Sequence, residues 1–267
     1  MATIKQLSNL RGRCALITGA AGGLGQVFAD TLAELGADLI LVDLPETDLV
    51  GIGDKLKSGW GVSVKEIFCD LENQDQRSNL IEEVTKSNRD LNILVNNAAL
   101  IGSSDLEGWS VPFEEQSMDT WRRAIELNLT AIFDLCQRFF PVMKNSVGAN
   151  VINISSIYGS YGPDWSLYKE TDIGNPAAYA VTKGGLIQLS RWLATTIAPS
   201  VRVNTISPGG LLREQPEIFQ SRYNLKTPLG RMASGDDLRG ALAFLASDLS
   251  SYVTGHNLQV DGGWGVW

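Results

Sequence analysis

The feature that most constrains the fold of this chain is a regular alternation of short apolar segments with longer amphipathic ones. Cys14–Thr18 is a short apolar run, and a glycine-rich turn and a stretch with apolar residues at helical spacing follow it as far as Gly36. Such runs are typical of buried strands, and their alternation with helices is typical of βαβ units. The sequence therefore predicts a single doubly wound α/β domain over residues 1–267, with a central parallel sheet flanked by helices.

The predicted elements follow one another along the whole chain. Strands are predicted at Cys14–Thr18, Asp38–Asp43, Val62–Asp70, Leu91–Ala99, Asn150–Ser156, Val201–Gly209 and Asn257–Gly263. Further helices are predicted near Gln74–Ser87, over Met118–Met143 and from about Pro176 to Ala198. Ligands of such folds bind beyond the carboxyl ends of the strands. Polar or glycine residues stand at those ends, namely Gly19, Asp43, Asp70, Asn96, Ser155, Ser156, Pro208 and Gly209.

The charge of the chain limits its possible partners. Lys and Arg number 22 and Asp and Glu number 30, so the formal net charge is −8, and no basic run occurs. Nucleic acid and anionic membrane surfaces are therefore not expected partners. No apolar run reaches the ~18 residues of a membrane span, and the first residues lack the apolar stretch of a signal peptide. We expect a small-molecule ligand and a cytoplasmic location.

The few cysteine and histidine residues limit the chemistry. Cys14, Cys69 and Cys136 are far apart and odd in number, so disulfides and cysteine-ligated metals are not expected. His256 is the only histidine. The sequence therefore argues against a metal site and against Ser-His-Asp or Cys-His catalysis, unless His256 is the base.

A glycine-rich turn, TGAAGGLG, joins the first predicted strand to the first helix at Thr18–Gly25. Glycines allow a pyrophosphate to approach backbone amides at a helix N-terminus, which predicts a Rossmann-type dinucleotide site. Asp43 ends the second strand, where a carboxylate accepts hydrogen bonds from a ribose, although it could also be a turn residue before Pro45. Asp70 ends the third strand and could bind the adenine amino group or cap the next helix.

Tyr179 and Lys183 are four residues apart in a predicted helix. This spacing places two side chains on one helical face. By themselves the two residues favour a core tyrosine and a solvated lysine over a shared site.

The motifs together resemble those of the short-chain dehydrogenase/reductase family. They are TGAAGGLG, NNAA at Asn96–Ala99, Asn128 in IELNLTAIF, NISS at Asn153–Ser156, YAVTK at Tyr179–Lys183, SPGG at Ser207–Gly210 and VTGHNLQVDGG at Val253–Gly263. The glycines fit both the compact and the extended branch of the family. The NNAA and SPGG motifs and the short C-terminal half favour the compact branch, although Ala99 stands where the pattern has glycine.

The resemblance implies four catalytic residues. Tyr179 would be the general acid/base, and Lys183 would lower its pKa and bind the nicotinamide ribose. Ser156 would hold the substrate oxygen, with Ser155 as the neighbouring alternative. Asn128 would hold a water in a proton relay to Lys183, or would only make a hydrogen bond inside its helix.

The resemblance also implies the binding site of the cofactor NAD. The implied cofactor-binding residues are Gly19, Gly22, Gly23, Leu24, Gly25, Asp43, Asp70, Leu71, Asn97, Ala98, Tyr179, Lys183, Pro208 and Gly209. NAD is expected and NADP is not, because Asp43 would repel a 2′-phosphate and Ala20, Ala21 and Leu44 offer no cation.

The implied reaction is hydride transfer between the nicotinamide and a secondary alcohol or its ketone. A sugar or polyol is the favoured substrate, and a 3-oxoacyl thioester on acyl carrier protein or coenzyme A is the alternative. A dinucleotide sensor or scaffold on the same fold is the non-enzymatic alternative. The intact Asn128, Ser156, Tyr179 and Lys183 set argues against it.

Two segments and two helices complete the predictions. Residues 210–231 are expected to form a substrate lid. Residues 157–175 form an unusually long loop, which carries the aromatic and acidic residues Tyr158, Tyr161, Trp165, Tyr168, Glu170 and Asp172 and is expected to overhang the substrate. The helices at 118–143 and 176–198 carry apolar residues on more than one face, including Phe133, Phe139, Phe140, Leu186, Leu189 and Trp192. They are expected to build a homodimer or homotetramer.

Overall fold

A computed structural model describes residues 1–87 and 90–267. Its strands are β1 (Cys14–Thr18), β2 (Asp38–Asp43), β3 (Val64–Phe68), β4 (Ile93–Asn96), β5 (Asn150–Ile154), β6 (Arg202–Pro208) and β7 (Asn257–Val260). They form one seven-stranded sheet in the order β3-β2-β1-β4-β5-β6-β7. Every neighbouring pair is parallel. The predicted doubly wound α/β fold is confirmed.

Helices cover both faces of this sheet. They are α1 (Ile4–Leu7), α2 (Gly23–Glu34), α3 (Leu49–Trp60), α4 (Gln74–Lys86), α5 (Met118–Ile125), α6 (Ala131–Met143), α7 (Ala177–Ile197), α8 (Glu217–Lys226) and α9 (Asp236–Ala246). Buried side chains of α4, α6 and α7 pack with the sheet in one apolar core, and those of α2, α3 and α9 pack in a second. No helix within residues 1–87 and 90–267 is long and apolar enough to cross a membrane.

Helix α3 is not among the helices that the sequence analysis predicts. Its sequence contains Gly51, Gly53 and Gly59, and glycine lowers intrinsic helix propensity. Local capping and packing compensate for this low propensity. The Asp48 side chain accepts a 3.1 Å hydrogen bond from the Gly51 backbone, and Leu56 is buried against the sheet. Capping and tertiary contacts, and not intrinsic propensity, therefore make this segment helical.

Five strands end one to three residues before the predicted boundary, because the chain turns away at the carboxyl edge of the sheet. The predicted continuous helix Met118–Met143 is also wrong in one respect. A π-helical segment at Glu126–Thr130 separates α5 from α6. The wider turn of a π-helix re-aims side chains and is frequent at functional sites. Here it contains Asn128, which is fully buried.

No disulfide occurs in the described part of the chain, in agreement with the spacing of Cys14, Cys69 and Cys136. Burial raises the pKa of the Cys69 thiol to about 11 and that of the Cys136 thiol to about 12. Neither is a reactive thiolate at neutral pH, since the thiolate is the nucleophilic form. These two residues are therefore core residues.

Candidate active site

A cleft of about 1310 Å³ lies along the carboxyl edge of the sheet. It crosses the point where the strand order reverses between β1 and β4. Fourteen residues of the predicted site line it, namely Gly19, Gly22, Gly23, Leu24, Asp43, Asp70, Leu71, Asn97, Ala98, Ser156, Tyr179, Lys183, Pro208 and Gly209. Two predicted residues, Gly25 and Asn128, do not line the cleft.

The glycine turn between β1 and α2 brings backbone amides into the cleft. Gly19 has φ +64°, a left-handed conformation that favours glycine. A Cβ on Gly25 would lie 2.0 Å from the Gly19 carbonyl oxygen. Gly25 therefore contributes without lining the cleft, because its lack of a side chain lets α2 approach the glycine turn. A Cβ on Gly23 would meet no protein atom within 4 Å, so protein packing does not explain this glycine. The open space at the N-terminus of α2 fits a pyrophosphate.

Asn97 and Thr18 hold the two central strands together at this edge. The Asn97 side-chain amide donates to the carbonyls of Thr18 and Gly19 at 3.1 and 2.9 Å. The Thr18 hydroxyl accepts from the backbone of Asn97 at 3.0 Å and of Ala98 at 3.1 Å. This network of hydrogen bonds joins the carboxyl ends of β1 and β4 at the bottom of the cleft.

Both acidic residues at the adenosine end make turn contacts. The two carboxylate oxygens of Asp43 accept from the backbones of Ala21 at 2.7 Å and Leu44 at 2.8 Å. Each carboxylate oxygen has a second lone pair, so Asp43 can still accept a ribose hydroxyl. Asp70 accepts from the Glu72 backbone at 2.9 Å. Asp70 is not the helix cap considered above, because the Asn73 side chain caps α4.

Asn128 is committed to protein contacts through its side chain. Its Oδ1 accepts from the Leu100 backbone at 2.8 Å, and its Nδ2 donates to the Leu100 carbonyl at 2.9 Å and to the Thr182 hydroxyl at 3.2 Å. These bonds tie the loop after β4 to the first turns of α7. They run to other segments and not within the helix of Asn128, so they differ from the intrahelical hydrogen bond considered in the sequence analysis, and they let the side chain position the cleft wall.

The structure distinguishes the two neighbouring serines. The Ser155 hydroxyl is buried and donates to the Lys183 carbonyl at 2.8 Å, so it anchors α7. Both serines line the cleft, and the Ser156 hydroxyl accepts from the Tyr158 backbone at 3.2 Å. Ser156 also lies close enough to Tyr179 for hydrogen bonding to lower the pKa of that phenol. The geometry thus favours Ser156 as the substrate-facing serine.

Tyr179 and Lys183 meet in the cleft, but not as the spacing argument expects. The Lys183 ammonium lies 5.7 Å from the centroid of the Tyr179 ring and donates to the Ile154 carbonyl at 2.8 Å. Burial raises the pKa of Tyr179, and Ser156 and the charge of Arg213 oppose that shift. Burial also lowers the pKa of Lys183 to about 8. Lys183 therefore loses its proton before Tyr179 ionises, so it does not lower the tyrosine pKa in this state.

The long loop at 157–175 packs against α8 and does not simply overhang the cleft. Its aromatic side chains join Phe219, Tyr223 and Trp264 in a separate apolar cluster, in which the Tyr223 and Trp264 rings stack at 4.3 Å. Lys226 pairs with Asp164, which ties α8 to the loop. Tyr158 and Tyr168 line the cleft as predicted. The other four residues singled out in this loop, Tyr161, Trp165, Glu170 and Asp172, are absent from the lining.

Sequence reasoning misses several residues of the substrate side. Asn175, Arg213, Phe219, Tyr223 and Met232 all line the cleft. Asn175 stands just before α7 in the NPAAY segment, which is its only sequence signal. No group of His, Cys, Asp and Glu within the described ranges could hold a metal ion.

Comparison with known proteins identifies what the fold and the cleft resemble. A family model described as enoyl-(acyl carrier protein) reductase matches residues 19–265. A 3-oxoacyl-(acyl-carrier-protein) reductase of Rickettsia felis is 32% identical over 96% of this chain and 98% of its own length. A short-chain dehydrogenase of Leptospira borgpetersenii with bound NAD⁺ has a TM-score of 0.83, with 31% identity over 99% of this chain and 96% of that one. A gluconate 5-dehydrogenase of Burkholderia cenocepacia in complex with NADP and tartrate has a TM-score of 0.87, with 27% identity over 99% of this chain and 100% of that one.

The buried Lys183 should make the free energy of unfolding depend on pH. Its pKa is about 8 when folded, against 10.5 as the ordinary value, so burial of the charge destabilises the folded state below about pH 8. This cost disappears between pH 8 and 10.5, because the unfolded chain then binds the extra proton. Wild type should therefore gain about 3 kcal/mol relative to Lys183→Met as the pH rises from about 7 to 10.5.

Urea unfolding curves of both proteins across this range measure the difference. Lys144→Met, which changes an exposed lysine, serves as the control and should follow wild type. Parallel stability curves for wild type and Lys183→Met would show that Lys183 is not buried as a charge.

Proposed function

The chain belongs to the short-chain dehydrogenase/reductase family of oxidoreductases, and we propose that it uses NAD to interconvert a secondary alcohol and its ketone. The observation that carries this proposal is the meeting of Ser156, Tyr179 and Lys183 in a cleft whose other end has a glycine turn suited to a pyrophosphate. A dinucleotide sensor would need the glycine turn but not this set of proton-handling groups. We therefore favour an enzyme over the non-enzymatic alternative.

The protein residues manage a proton and hold the reacting oxygen. The bound dinucleotide supplies or accepts the hydride. The Ser156 hydroxyl donates a hydrogen bond to the substrate oxygen and stabilises the charge that develops there. In oxidation the Tyr179 phenolate takes the alcohol proton, and in reduction the Tyr179 phenol gives its proton to the ketone oxygen. The positive charge of an oxidised nicotinamide beside Tyr179 would favour the phenolate.

Two further residues support this proton transfer. Lys183, with its pKa of about 8, is charged at neutral pH and would donate a hydrogen bond to a hydroxyl of the nicotinamide ribose. Asn128 keeps the loop after β4 in place through its bonds to Leu100, and thereby keeps the cleft wall next to α7.

We propose NAD as the cofactor on the basis of Asp43. Its carboxylate lines the cleft beside Ala21 and Leu44, where a 2′-phosphate would meet a like charge. Of the other cations that line the cleft, Arg123 and Lys183 already have hydrogen-bond partners, and Arg213 is far from Asp43 in the sequence. Arg123 forms a two-pronged ion pair with Glu72 at 2.8 Å, and Lys183 is bonded to Ile154. The similar solved structures include a complex with NAD⁺ and three with NADP, so they do not decide between the cofactors and the proposal rests on Asp43.

We propose a sugar or polyol as the substrate. The substrate side of the cleft combines the aromatic rings of Tyr158, Tyr168 and Phe219 with the polar groups of Asn175 and Gln215. Such a mixture suits a ring or chain that carries hydroxyl groups, and a gluconate 5-dehydrogenase is among the relatives. The second candidate is a 3-oxoacyl thioester, which the Rickettsia relative supports.

A cytoplasmic location stays a prediction from the sequence.

We also propose a homodimer or homotetramer, built on α6 and α7. Phe139 and Leu186 are fully buried in the core, so they are not part of the proposed interface. The exposed apolar residues that remain on these helices are Phe133, Val181 and Trp192, at 40%, 49% and 53% exposure. Large apolar side chains on adjacent elements mark an interaction surface when they form a patch.

Replacing Tyr179 with phenylalanine tests the reaction. The variant keeps the ring but cannot transfer the proton, so turnover should fall by ~10²–10⁴ while dinucleotide binding is retained. Reduction of NAD by a panel of sugars, polyols and cyclic alcohols gives the rate, and a fluorescence titration with NADH gives the affinity. Tyr252→Phe, on a fully exposed tyrosine, is the matched control. A Tyr179→Phe enzyme with most of its activity would refute the acid/base role.

The choice of cofactor is tested at Asp43. Wild type should prefer NAD over NADP by about a hundredfold or more in kcat/KM, because each 1.4 kcal/mol of repulsion or lost hydrogen bonding is a factor of about ten. Asp43→Ala should narrow this gap, mainly by weakening NAD. Equal or better use of NADP by wild type would contradict the assignment.

The assembly is tested by light scattering at micromolar concentration. A dimer or tetramer should scatter as a multiple of the 29.0 kDa chain, and Trp192→Glu should lower that mass, because a charge would replace a buried ring at the interface. Tyr252→Glu changes another exposed aromatic residue outside these helices and should leave the mass unchanged. A wild-type mass of a single chain would exclude the proposed assembly.

A further inference from the structure

Two polar side chains in the cleft have no part in the reaction described above. Arg213 lies in the segment between β6 and α8, and Asn175 lies two residues before α7. Both line the same cleft as Ser156 and Tyr179. Each has hydrogen-bonding capacity that the protein leaves unused.

Arg213 presents an exposed guanidinium at the cleft that has no partner among the described residues. Its side chain makes no hydrogen bond or ion pair with any of the residues that the structure describes, although Arg123 and Lys183 in the same lining are both engaged. Its backbone is nevertheless held in place. The Gln215 side chain accepts from the Arg213 backbone at 2.7 Å and donates to the Leu211 carbonyl at 2.7 Å. The turn thus fixes the base of a cation that the protein does not neutralise.

Asn175 presents a buried acceptor without a donor. The residue is only 7% exposed, and its Oδ1 has no hydrogen-bond partner among residues 1–87 and 90–267. A buried polar atom left unsatisfied costs about 1–3 kcal/mol, and such atoms call for an explanation such as a ligand. Asn175 precedes Tyr179 by four positions, at the start of the helix that carries the proposed base. A hydroxyl of a substrate bound at Tyr179 is a suitable donor.

Two tyrosine hydroxyls add further polar groups to the cleft beside Asn175. The hydroxyls of Tyr158 and Tyr168 lie 2.7 Å apart, and both residues line the cleft. Burial raises the pKa of both phenols, and hydrogen bonding from the Asn175 amide opposes that shift. Both hydroxyls therefore stay protonated at neutral pH, and the second proton of the pair is available to a ligand.

We propose that the substrate is a polyhydroxy acid, in which Arg213 binds the carboxylate and Asn175 accepts a hydrogen bond from a hydroxyl. The inference rests on the proposed function and narrows its sugar or polyol class to the corresponding acids. Arg213 forms a planar donor pair that matches a carboxylate. A neutral polyol would leave that guanidinium unpaired in the cleft.

The cofactor phosphates are a less suitable partner for Arg213. The glycine turn and the N-terminus of α2 already offer backbone amides to a pyrophosphate. The positive charge of Arg213 acts on the Tyr179 phenol, which places it at the reacting end of the cleft. Glu214 also lines the cleft, and its carboxylate repels a doubly charged group more than a singly charged one.

The test compares five- and six-carbon aldonates with the alditols of matching configuration, at saturating NAD. Arg213 is exposed in the free protein, so its pairing with a carboxylate gains less than a buried ion pair would. Wild type should therefore favour the aldonates by about tenfold in kcat/KM. Arg213→Met should lower the ratio of kcat/KM on aldonates to kcat/KM on alditols by about tenfold, because any effect of Arg213 on the pKa of Tyr179 is common to both substrates, and Arg213→Lys should fall between. Arg122→Met, on an exposed arginine paired with Asp119, is the matched control.

The outcomes separate this inference from the proposed function. Turnover of alditols, cyclic alcohols or thioesters in preference to acids would overturn the acid assignment and leave the oxidoreductase intact. Failure of every alcohol and ketone would overturn both. A weaker NADH affinity of Arg213→Met, with no change in the preference for acids, would assign Arg213 to the cofactor phosphates and refute the proposal.

Asn175 is tested by a leucine, which has the same branched shape but is larger and has no polar atoms. Asn175→Leu should raise the KM for aldonates about tenfold, because one hydrogen bond to the substrate is lost. The same variant should bind β-hydroxybutyrate, a simpler acid with no further hydroxyl, with an unchanged KM. Thermal unfolding checks that the variant folds, and Asn175→Ser replaces it if it does not. An equal effect on both acids would refute the hydroxyl contact.

Discussion

The site depends on one constraint, which is that every strand of the sheet points the same way. In the order β3-β2-β1-β4-β5-β6-β7, the chain leaves β1 and β4 toward opposite sides, and the crevice between them opens at the carboxyl edge. Hydrogen bonds from Asn97 to the Thr18 and Gly19 carbonyls hold this crevice at a fixed width. The close approach of Gly25 to Gly19 then seats α2 so that its N-terminus points into the opening. Without these two contacts, the chemistry-bearing residues of distant strands would not share one cleft.

The electrostatics of the cleft show a site that costs stability. Lys183 is a buried cation whose visible partners are the Ile154 carbonyl and the face of the Tyr179 ring, and neither is a counter-ion. Burial acts in opposite directions on the two groups, because it raises the pKa of a phenol and lowers that of an ammonium. Tyr179 is therefore held as a proton donor, and Ser156 and Arg213 are the neighbours that ease its ionisation. A fold selected only for stability would not place these groups together.

The substrate side of the cleft is formed by segments that pack in an apolar cluster separate from the two cores of the sheet. The loop at 157–175 and α8 share one apolar cluster, and the Lys226–Asp164 pair crosses between them. The Tyr223 hydroxyl accepts from the Gly210 backbone at 2.6 Å, which ties this layer to the end of β6. The sugar or polyol specificity that we propose is therefore a property of this loop and helix acting together, and a lid at 210–231 would move with the loop against which it packs.

The alternation of apolar runs with helical spacing was enough to predict the fold and to place the strand-end residues at one edge, because strand polarity sends every strand end there. The rest of the fourteen predicted residues that line the cleft came from the resemblance to the short-chain dehydrogenase/reductase family. Local pattern could not show the π-helical turn that buries Asn128 or the partners that occupy its side chain. It also could not show that Lys183 loses its proton before Tyr179 ionises, because a pKa depends on surrounding atoms from many segments. Arg213 and Asn175 could be identified only in the tertiary structure. They are marked by a guanidinium and a side-chain oxygen that have no hydrogen-bond partner among the described residues, and the sequence does not show which groups are neighbours in space.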